Sequence, residues 1–385
     1  MTVKKIIGKI HLWLGLASGL VVLFLGITGC ILAFEVEIRK LTEPEQFVKE
    51  ENKEYLPPSR LKAEAEKYLD GKTVNGLEYP GKGKSTIASY YDAENYKLVA
   101  LNPYSGKMLK VKNMNRDFFR VVLDGHYYLW LPEKIGQPIV ASATLIFLVM
   151  MISGIVLWWP KNKAARKQRF SIKWNARWRR VNYDLHNVFG FYMMWIAIFI
   201  AVTGLVWGFE WFSKSLYWAT SGGKAMIEEV HPASDTLAAK STTGNVADKL
   251  WLQFSKQKAD KESIGIYYPL TNADPFEIAI NHKPGTYYNM DFYHFDQYTG
   301  AELPVEGIYA SKFKDANVAD KIRRMNYDIH VGAVLGLPGK ILAFFASLIA
   351  ASLPVTGFYI WLGRRKKKPA KEKAEDLTKV LALNI

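Results

Sequence analysis

Four long apolar runs decide most of what this chain can fold into. They lie near residues 12–34, 137–159, 187–209 and 338–362. A helix rising 1.5 Å per residue needs about 20 residues to cross the ~30 Å hydrocarbon core of a bilayer, and each run is long enough. The near-neutral mean hydropathy of −0.05 averages these runs with two polar stretches, 36–125 and 211–325. Lys4 and Lys5 ahead of the first run, and Ile27-Thr28-Gly29-Cys30 within it, suggest a secretory leader with a lipoprotein box. The third run repeats the pattern without a cysteine, AVTGLVWGFE at 201–210 against GITGCILAFE at 26–35. Gly29 is therefore read as a repeat feature, and no cleavage is expected.

Basic residues favour the cytoplasmic side of short flanking loops. Residues 161–180 hold nine Lys or Arg and no acid, and the chain after the fourth run opens Arg364-Arg365-Lys366-Lys367-Lys368. Both segments and the N-terminus are predicted inside, which puts the two polar stretches outside. The net charge of +15 is thus mostly a topology signal. Its clusters abut membrane segments, so nucleic acid is not expected as a partner, whereas the lipid bilayer is. The single Cys30 excludes an internal disulfide and a thiolate metal cluster.

The chain repeats itself. His11 precedes Thr28 by the same seventeen positions as His186 precedes Thr203. Ser153-Gly154 ends the second run as Thr356-Gly357 ends the fourth, and LPEKI at 131–135 matches LPGKI at 337–341. Each polar stretch carries one turn of similar spelling, NPYSG at 102–106 and DQYTG at 296–300, where Gly accepts positive φ and the Asx side chain caps. SRLKAEAEKYL at 59–69 looks helical, while STIASYY, KLVALNP, PFEIAI and YYNMDFYHF look strand-like. The predicted fold is a mainly α membrane protein. It is a four-helix transmembrane bundle built by parallel duplication, with two small α+β modules outside. Its boundaries are 1–35 (first span), 36–125 (first module), 126–160 (second span with a pre-membrane segment) and 161–183 (basic cytoplasmic loop). There follow 184–210 (third span), 211–325 (second module), 326–363 (fourth span with a pre-membrane segment) and 364–385 (basic cytoplasmic tail).

Four histidines stand at the mouths of the four runs. RRVNYDLH at 179–186, RRMNYDIH at 323–330 and RVVLDGH at 120–126 share Arg, Asp and His at one spacing, and Lys5 stands six before His11 as Arg120, Arg180 and Arg324 do before His126, His186 and His330. Topology puts His11 and His186 on the inner side and His126 and His330 on the outer. A pseudo-twofold axis makes each pair face across the bundle, as two axial ligands of one iron require. The set predicts two bis-histidine b-type haems. Gly15 and Gly190, four residues after the inner histidines, share the ligand's helix face and leave room for a flat macrocycle. The four cations suit haem propionates, or serve only as topology determinants. Asp124, Asp184 and Asp328 are read as helix caps or as partners of the second imidazole nitrogen. Pro132, Pro138 and Pro338 suggest that the outer histidines stand on pre-membrane segments. His231, His282 and His294 are read as solvent-facing, Trp158, Trp159 and Trp361 as an interfacial belt, and the repeated Thr-Gly as close helix packing.

KIHLWLGLASG…ITG, DLHNVFGFY…VTG, DIHVGAVLGLPGK and the closing TGFYIWL, with the two outer turns, resemble the PepSY-associated transmembrane helix family of bacteria. The resemblance covers essentially the whole chain. It implies PepSY-like outer modules, the bacterial cytoplasmic (inner) membrane, and a ferric or siderophore reductase passing electrons outward to Fe(III). Relatives with a fused flavin domain imply a donor, and here that donor must be separate: a cytoplasmic flavoprotein or membrane quinol. Tyr90, Tyr91, Tyr287, Tyr288 and Tyr293 are candidates to line a surface for the ferric chelate, or are ordinary strand residues. Two other readings stay open. One is a haem-free PepSY regulator, peptidase modulator or assembly protein. The other is a siderophore or metal permease, disfavoured because Glu35 and Glu210 sit at run ends and no acid lies within a run.

Overall fold

Every apolar run falls, to within one residue, inside a helix longer than itself. The protein is described by a computed structural model over residues 2–160, 162–241, 245–256 and 262–365; Lys161 and the basic tail beyond 365 lie outside the described residues. In chain order the first part runs α1 (Val3–Ala33), α2 (Glu35–Thr42), α3 (Pro58–Glu66), β1 (Gly76–Tyr79), β2 (Thr86–Tyr91), β3 (Tyr96–Leu101), β4 (Met108–Asn113), α4 (Phe118–Tyr128) and α5 (Glu133–Trp158). After α6 (Lys163–Arg169), the same order begins again with α7 (Trp178–Gly208), α8 (Glu210–Thr220), α9 (Val246–Ser255), β5 (Ser263–Tyr267), β6 (Phe276–Asn281), β7 (Met290–Phe295) and β8 (Glu302–Leu303). It closes with α10 (Val318–Arg324), α11 (Asn326–His330) and α12 (Gly336–Arg365).

Two units result. The first joins the segments Met1–Ala33, Gly125–Gly208 and Leu337–Ile385; the second joins Phe34–Asp124 and Phe209–Gly336. In the first, α1, α5, α7 and α12 are long and apolar enough to cross a membrane. Its heart is small or soft: Met151, Met193, Met194, Ala197, Ala201, Ala346 and Ala350. Small residues let helix backbones approach closely where no hydrophobic drive operates between helices. Gly26 shows how closely, because a Cβ there would meet Ser347 O at 2.7 Å and Ala351 N at 2.9 Å across α12.

The second unit holds one eight-stranded antiparallel sheet, β4-β3-β2-β1-β5-β6-β7-β8. The two polar stretches, expected as two modules, share it: Gly76 to Tyr79 of β1 pair with Tyr267 to Ile264 of β5. One face is apolar at period two (Leu77 and Tyr79, Ile264 and Ile266, Ile278 and Ile280) and is covered by α3 and α9. Tyr79 stacks on Trp251 of α9 at 3.9 Å, and Ser59 of α3 donates twice to Asp248 of α9, from N at 2.8 Å and from Oγ at 2.5 Å. The two Asx turns form as their spelling requires. Asn102 Oδ1 accepts from Tyr104 N at 2.8 Å, Asp296 Oδ1 accepts from Thr299 N at 2.7 Å, and Gly106 and Gly300 both have φ of 73°.

Candidate functional site

Both inner-set histidines lie well inside their helices. α1 and α7 each begin nine residues before the apolar run they contain, so His11 and His186 are each the ninth residue of a helix. The extension of α7 is pinned where it starts: Asp184, 2 % exposed, accepts from Arg180 Nε at 2.9 Å and from Lys173 N at 3.3 Å. Asn182 donates to Thr356 O of α12 at 3.0 Å. Asp184 thus fastens the loop before α7 and is not the histidine's partner.

That partner is a hydroxyl. His11 Nδ1 lies 2.8 Å from Ser153 Oγ on α5, and His186 Nδ1 lies 2.9 Å from Thr356 Oγ1 on α12. Each hydroxyl already directs its one proton to its own helix: Ser153 to Met150 O at 3.1 Å, Thr356 to Ser352 O at 3.0 Å and Leu353 O at 3.1 Å. Such back-bonding is common for hydroxyls in helices. A hydroxyl whose proton is committed can only accept from the ring. This accounting assigns the proton to Nδ1 and leaves Nε2 of a neutral imidazole with its lone pair free. The glycine after each hydroxyl seats the ring. A Cβ at Gly154 would lie 3.6 Å from His11 Cε1, and one at Gly357 would lie 3.3 Å from His186 Cε1.

The same arrangement holds His126. Its Nδ1 lies 2.8 Å from Thr28 Oγ1, which donates to Phe24 O at 2.9 Å, and a Cβ at Gly29 would lie 3.6 Å from His126 Cε1. His126 sits on α4, and Pro132 separates that helix from α5. Leu129 and Trp130 turn the chain between them with φ of 56° each, a conformation that costs non-glycine residues free energy and clusters at functional sites. His330 ends α11 in the second unit. Two positions before it, Asp328 is fully buried and accepts from Tyr287 N at 2.9 Å and Tyr288 N at 2.7 Å, clamping α11 to the loop between β6 and β7.

His11 and His186 border one cavity of about 380 Å³ enclosed by α1, α5, α7 and α12. Gly15 and Gly190 line it as expected, with Gly8, Gly19, Gly154 and Gly357. Leu12, Leu16, Phe147 and Met151 make its walls apolar, and Arg364 lies among its lining residues. The volume, the apolar walls and the few polar groups are those of a cofactor pocket. Two imidazoles on such a pocket, whose lining includes six glycines, are residues that could hold a metal-bearing macrocycle.

The cations expected beside the histidines are placed otherwise. Among the described residues, neither Lys5 nor Arg180 lines this cavity; Lys5 is exposed, and Arg180 pairs with Asp184. Arg120 stands 3.6 Å from Asp124 on an open face of α4. Arg324 is buried in the second unit, where it donates to Ser311 O at 3.0 Å and to Met290 O, and stacks on Tyr309 and Phe313. Reading the sequence missed Ser153, Thr356 and Thr28 as ring partners and Arg364 as a lining cation, although the Ser/Thr-Gly repeat was in view. One solvent-facing expectation is corrected: His294 is 2 % exposed.

Among known proteins, no curated sequence matches the chain. A family model does. It is that of the PepSY-associated TM region, and with residues 9–364 matched the chain belongs to that family.

Proposed function

We propose that the protein is a di-haem b membrane oxidoreductase that reduces ferric iron, held as a siderophore or other chelate, on the side of the membrane where its α/β unit lies. The observation that carries the reading is the pair of imidazoles on one cavity, each with a hydroxyl oxygen within 2.9 Å of Nδ1: Ser153 Oγ for His11 and Thr356 Oγ1 for His186. An imidazole held through Nδ1–H presents Nε2 to a metal, and such outer partners set ligand orientation and basicity.

His11 and His186 would hold one haem in the cavity they border, and His126 and His330 a second. When bound, haem supplies a one-electron Fe(III)/Fe(II) couple. The residues do the rest: Ser153, Thr356 and Thr28 orient the rings, Gly15 and Gly190 let the side chains of Met150 and Leu353 come close to the helices that carry the histidines, and the walls are mostly apolar. Arg364 suits a propionate carboxylate, whereas Arg324 is already engaged by carbonyl oxygens. The similar element order of the two halves, three helices, four strands and then two helices in the first half and three in the second, supports a parallel duplication. Pairing of β1 with β5 in one sheet supports both polar stretches lying on one side of the membrane. With the charge pattern, that side is the periplasmic face of a bacterial inner membrane, and both ends of the chain are cytoplasmic. Electrons then come from a cytoplasmic flavoprotein or the quinol pool.

Pyridine haemochrome analysis of protein purified from haem-replete cells should give about two haems b per chain, low-spin by absorbance as bis-histidine ligation requires. His186→Ala and His126→Ala should each remove a different one, and a ferric chelate should reoxidise the dithionite-reduced protein. Haem-free protein from such cells would sink the proposal.

A further inference from the structure

The sheet of the second unit has a face that α3 and α9 do not cover. Registered neighbours across the strands place Gly76, Tyr267, Glu277 and His294 in one row on it. His294 is anomalous there. It is 2 % exposed, and neither ring nitrogen has a hydrogen-bond partner among the described residues. Its Nε2 lies 3.2 Å from Glu277 Oε2, off the line that an N–H donor would need. A buried imidazole with both nitrogens unmet is costly, and such groups in native proteins mark a water or an ion.

A second imidazole stands beside it. The rings of His231 and His294 have centroids 6.0 Å apart at 50°, and His231 is exposed. Two histidines and one carboxylate are the donor set that open non-haem Fe(II) sites use, and the same nitrogens suit other first-row divalent ions. A nitrogen and an oxygen bound to one ion at about 2.0–2.2 Å each stand at about the separation that His294 Nε2 and Glu277 Oε2 already show. Among the described residues no three such groups are yet gathered at ligand distance. Closure requires His231 to turn about its side-chain torsions, which its exposure permits.

We propose that His294, Glu277 and His231 form a binding site for one divalent first-row transition ion on the face of the sheet opposite α3 and α9. The site consists only of residues from the second unit and stands whether or not the helical unit carries haem.

Equilibrium dialysis of the untagged full-length protein in detergent, against Zn(II) in air and Fe(II) without oxygen, tests it. The expected uptake is about one exchangeable ion per chain at micromolar free metal, since a site whose closure moves one side chain need not be tight. His231→Ala touches only an exposed ring and is expected to fold normally. It and Glu277→Gln should each weaken uptake by roughly tenfold or more, with the visible spectrum unchanged. His186→Ala should leave uptake as it is. No uptake by the unaltered protein would overturn the proposal and leave His294 with a buried water only. So would uptake indifferent to His231→Ala and Glu277→Gln, or uptake lost in His186→Ala, which would put the ion among the helices.

Discussion

A threonine whose proton is given to its own helix cannot give it to a histidine as well. Thr356 and Ser153 are therefore acceptors, and deleting one removes a fixed orientation while leaving the ligand in place. Thr356→Val, of nearly equal volume, should lower the affinity for haem at His186 by roughly 10–100-fold, measured by haem transfer to apomyoglobin, and Thr356→Ser should restore most of it. A variant indistinguishable from the unaltered protein would show that the ring needs no such partner. At this scale the gathering of His11 and His186 with Gly15 and Gly190 about one cavity was legible, because a spacing of four puts each glycine on its histidine's helix face. Their partners were not. A Ser/Thr-Gly dipeptide in an apolar run has the same spelling whether it packs a helix or seats a ring, and only the fold shows that Ser153 meets a histidine 142 positions away. Arg324 errs the other way: its spacing before His330 repeated that of Arg180, but its acceptors, Ser311 O and Met290 O, lie elsewhere in the chain.

Hydropathy locates hydrocarbon and not helix ends. α1 and α7 start nine residues before their apolar runs because the polar extensions carry helix-compatible residues and find partners, as Asp184 does. Strand pieces were legible from their aromatic and branched residues, but such composition shows a strand and not its neighbour. Pairing of β1 with β5, far apart in the chain, therefore could not be read. The end of β6 carries a titration of its own. His282 lies between Glu262, 2.7 Å from Nδ1, and Asp291, 3.0 Å from Nε2, with Arg324 behind Asp291 at 3.3 Å. Partial burial alone would lower its pKa, but the two carboxylate bonds prevail and raise it above 6.5. The folded form thus holds the proton more tightly than the unfolded one. The stabilisation is complete below about pH 6.5 and is lost as pH rises through the raised value. Calorimetry of the unaltered protein and of His282→Gln should show their melting temperatures converging as pH is raised from about 5 to about 9. A difference constant over that range would mean that His282 does not titrate there.

For the molecule as a whole, the proposed topology rests on two lines. A sheet shared by both polar stretches requires an even number of crossings between them, and α5 and α7 are the two candidate spans there. In the proposed orientation the basic loop between those helices sets the direction. Alkaline phosphatase fused after Glu50 or after His282 should be active, and fused after Gln168 inactive; the reverse pattern would invert the orientation. The sheet also imposes a timetable on biogenesis. Once β1 has been made it presents a bare edge, and its partner does not exist until the ribosome has passed Ser263. At about 5–20 residues per second that wait lasts roughly ten to forty seconds. An unpaired strand edge invites foreign strands. A cell making this protein must therefore shield a half-built sheet while it is still threading the two helices that separate the halves.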